Sequence, residues 1–156
     1  MEHVHKFLRL STAERQLLIK AALLLEAIKL GMRLLPFRTL RHLLARVART
    51  PVGAWRADHS SPERVVWAVE TASRHTLGVK TCLTQALAAQ ILLARRGRPA
   101  LLHVGVAKGG EPGQFQAHAW VESEGKVVIG GSELKRYARL TVLEVGGPSE
   151  SWDQKL

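Results

Sequence analysis

Apolar residues recur at three- and four-residue steps early in the chain. Leu17, Leu18, Ala21, Leu24, Leu25, Ile28 and Leu35 trace one stripe, as an amphipathic helix requires. Ser11-Thr12-Ala13-Glu14 has capping-box spacing ahead of that stripe and Pro36 follows it, so the pattern predicts a helix over about 12–34. A second amphipathic segment, about 38–49, turns Leu40, Leu43, Leu44 and Val47 inward and most of Arg38, Arg41, Arg46 and Arg49 outward. Residues 50–60 read as a linker. Ser61-Pro62-Glu63 then supplies a cap, a first-turn proline and an acid for a third helix over about 62–75. A short loop, 76–80, delivers the chain to Thr81, the expected cap of an Ala- and Leu-rich fourth helix that meets no breaker until Gly97.

Beyond Gly97 the period changes. Short apolar and β-branched runs at 99–106, 115–122, 126–129 and 138–145, separated by Gly/Pro-rich or Glu-Gly turns, predict four strands of an antiparallel sheet. Helices followed by strands is the order of an α+β fold with the helices on one sheet face. A chain of 156 residues supports one core, so residues 1–156 are expected to form a single domain. Within it lie a helical subregion at 1–50, a core at 61–145 and a tail at 146–156.

Charge narrows the function classes. The net charge of +10 is concentrated at the front, where residues 1–50 carry ten Lys and Arg against three Glu. No run of five like charges and no nucleic-acid-binding signature accompanies it, so no nucleic-acid partner is expected. Lys20, Glu26, Lys29 and Arg33 interrupt the apolar stretch at 16–35, whose longest unbroken run is Ala21 to Leu25, so no transmembrane segment is expected. The first residues lack the order of an export signal, which points to the cytoplasm. One cysteine excludes an intramolecular disulfide, and the scattered histidines assemble no metal-ligand spacing, so neither a metal nor another cofactor is expected.

Cys82 opens the fourth helix, where unpaired N–H groups stabilise a thiolate; a packing cysteine more often lies mid-helix. Of seven histidines, only His103 and His118 fall on strands. Strand alternation sets His118, Trp120 and Glu122 on one face and Ala117, Ala119 and Val121 on the other. A hydrogen-bonded histidine beside a packed indole satisfies that pattern as well as catalysis does. A cysteine opening a helix, followed 36 residues later by a histidine on the second strand of a sheet, is nevertheless the way papain-like hydrolases and transglutaminases build a thiolate–imidazolium pair.

The ordered motifs carry a further resemblance. Arg64-Val65-Val66-Trp67-Ala68-Val69-Glu70 and Ser73-Arg74, then Thr81-Cys82-Leu83-Thr84-Gln85-Ala86-Leu87, Leu92-Leu93-Ala94-Arg95-Arg96-Gly97, His103-Val104-Gly105-Val106 and His118-Ala119-Trp120-Val121-Glu122 are together similar to the transglutaminase-like core of lasso peptide biosynthesis B2 proteins. The similarity spans roughly 35–145. It implies a cysteine protease that removes the leader from a ribosomally made precursor, so that a separate ATP-dependent cyclase can close the ring. It also implies the split form, which takes the leader from a separate leader-recognition protein. The helices at 12–49 would then be a docking surface for that partner or for the leader, or equally a plain core-forming pair.

By the same resemblance Cys82 is the nucleophile and His118 the general base and acid. The third residue is commonly an aspartate a dozen positions after the histidine, and here that position is Gly130. Glu133 is the first candidate for an orienting acid and Glu122 the second; a backbone carbonyl or an amide could do the same work. The Cys82 N–H is the first candidate for the oxyanion, while Trp120 and Gln85 are candidates for substrate contact, each equally readable as packing. An amine acceptor in place of water would make the chain an acyltransferase. Loss of the triad would make it a peptide- or partner-binding domain.

Overall fold

The computed structural model describes residues 10–50, 61–75, 81–109, 113–132 and 134–145. The predicted linker at 50–60 beyond Thr50, the loop at 76–80, the tail at 146–156 and Glu133 lie outside the described residues. Four helices precede four strands: α1 (Thr12–Leu34), α2 (Phe37–Arg49), α3 (Pro62–His75), α4 (Cys82–Ala94), β1 (Leu101–Lys108), β2 (Phe115–Ser123), β3 (Lys126–Ile129) and, after a 3-10 turn at Leu134–Arg136, β4 (Ala138–Leu143). The capping box forms as the sequence requires: Ser11 Oγ accepts from the Glu14 N–H, and the Glu14 carboxylate accepts from the Ser11 N–H at 2.9 Å. Glu14 also reaches Arg64 of α3 at 3.5 Å. These hydrogen bonds, with Arg64 nearby, hold its carboxyl below the usual carboxylate range.

All strand pairs are antiparallel, in the order β3-β2-β1-β4. The last strand therefore returns beside β1 instead of extending the meander, so that β3 and β4 form opposite edges of the sheet. Both outer strand limits shift slightly from expectation, since β1 begins at Leu101 and β4 stops at Leu143.

The helices cover one face of the sheet. Leu102, Ala119, Val121, Ile129 and Leu143 join Leu17, Leu25, Ile28, Val65, Val69, Leu87 and Leu92 in a single aliphatic core. α4 is buried nearly all round, which explains why its apolar residues show little one-sided periodicity. Gln90 lies within that core, and its Nε2 donates to the carbonyls of Ala100 at 3.0 Å and Leu143 at 2.7 Å, clamping α4 to the ends of β1 and β4. Two assignments for α2 are corrected. Leu43 and Val47 are 44% and 43% exposed, because α2 touches the core through Leu40, Leu44 and Ala45. Leu35, placed on the inward stripe of α1, is also exposed at the α1–α2 turn.

Candidate active site

Cys82 is the first residue of α4, and the geometry of its turn follows from Thr81. That residue caps the helix in extended conformation, its Oγ1 accepting from the Thr84 N–H at 3.1 Å, with the Thr81 and Thr84 hydroxyls in direct contact. The first-turn amides of Cys82 and Leu83 have no acceptor within the helix. The thiol side chain is half-buried and packs against the edge of the aliphatic core. The arrangement thus offers a thiol beside the free N–H groups that an oxyanion needs.

His118 is held from three directions. Its Nε2 lies 2.7 Å from the carbonyl oxygen of Gly130, its ring stacks on Tyr137 with centroids 4.9 Å apart, and the Trp120 ring lies 6.2 Å away on the same face of β2. A carbonyl oxygen only accepts, so Nε2 is the protonated nitrogen and, in the neutral ring, Nδ1 carries the lone pair. The 3-10 turn fixes Tyr137, whose N–H donates to the Leu134 carbonyl at 3.1 Å.

Beside this ring lies a second histidine. His103 sits opposite Trp120 in the β1–β2 register, and their rings stack at 5.3 Å with planes 9° apart. The Glu122 carboxylate approaches His103 Nε2 to 3.3 Å, and the Arg139 guanidinium lies 5.9 Å above Trp120. Burial, reinforced by Arg139, pushes the His103 ring below the usual imidazole range; the Glu122 carboxylate pulls the other way and does not prevail. Gly105 makes room for this cluster, because a Cβ there would stand 2.8 Å from the Ala138 carbonyl and 3.0 Å from the Trp120 ring.

The structure separates the residues singled out from sequence. Among the described residues no hydrogen bond joins the Cys82 sulfur to the His118 ring. Cys82 lies on the helix side, against the core that contains Ala119 and Val121, whereas His118 shares the other sheet face with Trp120. Glu122 is engaged with His103. Trp120 is 1% exposed and forms the floor beneath the imidazole. Gln85 donates to Ser73 Oγ at 3.1 Å, tying α4 to α3. Tyr137 escaped the sequence reading, and the backbone carbonyl that it allowed as an orienting group was not assigned to Gly130. A tyrosine beyond a turn carries no periodicity, and a backbone oxygen is announced only by the glycine at an expected aspartate position.

A family model described as the transglutaminase-like superfamily matches residues 22–143. The chain belongs to the transglutaminase-like superfamily. No curated protein and no solved structure gave a match. Membership joins the α+β order to a family that includes cysteine proteases and acyltransferases, with Cys82 opening α4 and His118 on the second strand. Among the described residues no helix is long and apolar enough to cross a membrane.

Proposed function

We propose that the chain is a cytoplasmic leader peptidase of the lasso type, cutting a ribosomally made precursor through a thioester on Cys82. The observation that carries this reading is the position of Cys82 at the first residue of a capped helix in a transglutaminase-like chain. The ordered motifs shared with lasso B2 proteins supply the substrate class.

In the proposed reaction His118 Nδ1 takes the thiol proton and the thiolate attacks the carbonyl at the end of the leader. The Cys82 amide donates to the resulting oxyanion. His118 returns the proton to the departing amine, which frees the downstream peptide. Water, losing a proton to the same ring, then hydrolyses the thioester and restores the thiol. Among the described residues no hydrogen bond joins the thiol to the imidazole, so the reading requires a rearrangement that brings the two to one side of the sheet when the precursor binds.

The leader would arrive on a separate recognition protein. Exposed Leu23 (68%) and Leu34 (69%) on α1, and the exposed arginines Arg38, Arg46 and Arg49 on α2, support docking on these helices. The ATP-dependent cyclase would consume the freed peptide. The test is mass spectrometry of a candidate precursor incubated with the full chain, with and without the recognition protein. Two fragments are expected, and none with Cys82→Ala. One larger, amine-linked species would replace the peptidase with an acyltransferase. Cleavage unchanged by Cys82→Ala would overturn the thioester on Cys82, and no cleavage by the parent chain would leave a binding domain.

A further inference from the structure

We infer that the Gly130 main-chain carbonyl is the positioning group for His118, doing through the backbone what a carboxylate side chain commonly does in this superfamily. The inference deepens the peptidase reading and rests on it for its catalytic meaning; the geometry on which it stands is independent of any substrate.

Two observations converge. The first is the 2.7 Å contact between His118 Nε2 and the Gly130 oxygen, which fixes the proton on Nε2 and leaves the Nδ1 lone pair as the base. The second is that position 130 excludes a side chain. Gly130 has φ +75°, and a Cβ there would stand 2.6 Å from the Ala119 carbonyl oxygen and 3.0 Å from Trp120 Cα. The three nearest atoms it would meet all belong to β2, the strand that carries His118, so the close approach of this turn to β2 and the imidazole contact are one feature. Glycine at this position brings the main chain near enough for its oxygen to reach the ring. An aspartate could not enter this turn without pushing the oxygen away. Tyr137 stacked on the ring at 4.9 Å opposes rotation about the Cβ–Cγ bond, so one contact sets the tautomer and the other limits the tilt.

The chemical consequence is a neutral orienting group. A carbonyl holds the same ring nitrogen as a carboxylate but adds no full negative charge to steady the imidazolium. The orientation of the His118 ring is therefore set by backbone. Glu122 is engaged with His103 and is not needed to orient the His118 ring.

The resting full-length protein tests this by proton–nitrogen NMR, with the His118→Gln spectrum as assignment. A His118 Nε2–H proton protected from solvent exchange is expected in the parent chain, in Glu122→Gln and in Glu133→Gln. It should be lost in Gly130→Ala, which should also lower kcat about a hundredfold with KM nearly unchanged, the scale of a small misplacement at a reacting group. Absence of the protected proton in the parent chain, or its loss in either glutamine variant, overturns the assignment. These spectra decide the matter even where Gly130→Ala fails to fold. A protected proton in a chain that cuts no precursor would overturn the peptidase reading alone.

Discussion

Leu102 and His103 are neighbours in β1 that point to opposite faces of the sheet, into surroundings equally closed to water and chemically unlike. Leu102 is 0% exposed among aliphatic side chains, and His103 is 2% exposed against Trp120 and Glu122. On the helix side burial is non-directional, and volume decides what fits. On the other side orientation decides, and it is incompletely satisfied: among the described residues His103 Nδ1 and Trp120 Nε1 are buried without hydrogen-bond partners. The aliphatic face stores the stability, and the aromatic and polar face arranges rings around His118 at a cost in unpaired groups.

Truncating the aliphatic side should break the molecule first. Leu102→Ala is expected to lower the unfolding free energy by about 2–5 kcal/mol, the range for a leucine lost from a packed core. His103→Leu at neutral pH should change it by less than about 1.5 kcal/mol, since the loss of the Glu122 contact is offset by exchanging an unpaired Nδ1 for apolar volume. Urea unfolding of both variants measures the gap. Equal losses would erase the distinction between the faces.

The same contrast explains what could be read in advance. Caps and punctuation announce helix limits through local chemistry, so Ser11, Pro36, Pro62 and Thr81 marked boundaries that the structure keeps to within a residue. Alternation marked the faces of β2 because Ala119 and Val121 meet a uniform aliphatic layer. The inward reading of Leu43 and Val47 failed because periodicity reports an apolar stripe and not how much of it a neighbouring element covers. The return of β4 to β1 and the reach of the Gly130 carbonyl depend on how β3 and β4 come to form opposite edges of the sheet, a tertiary fact without periodic signature. Cys82 and His118 were legible as residue types in their places, while the groups that hold His118 were not.

A smaller effect should follow from acid. His103 is neutral in the fold, with its proton affinity lowered from the ordinary value of 6.5. In the unfolded chain the ring binds a proton as pH falls through about 6.5, while the folded ring does not until lower pH. Proton uptake therefore favours the unfolded state in that window. Stability should be full above about pH 7 and decline as pH falls below 6.5, ceasing to decline further once the folded ring protonates. Thermal melts across that range measure it, and His103→Leu should flatten this part of the profile. A slope unchanged in the variant would assign the acid sensitivity to other groups.

The smallest expected effect separates the two actions of Arg139. Its guanidinium lies over the Trp120 ring at 5.9 Å in an exposed position, a contact of about 0.5–1 kcal/mol. Its charge also opposes protonation of His103. Arg139→Gln removes both. Above pH 7 only the ring contact is lost, so the variant should be slightly less stable than the parent. At pH 5 the folded variant accepts the His103 proton more readily, which narrows the window in which acid favours the unfolded chain. The deficit in melting temperature should therefore shrink as pH falls. A deficit constant from pH 7.5 to pH 5 would mean that Arg139 acts on the indole alone, and that burial by itself keeps His103 neutral.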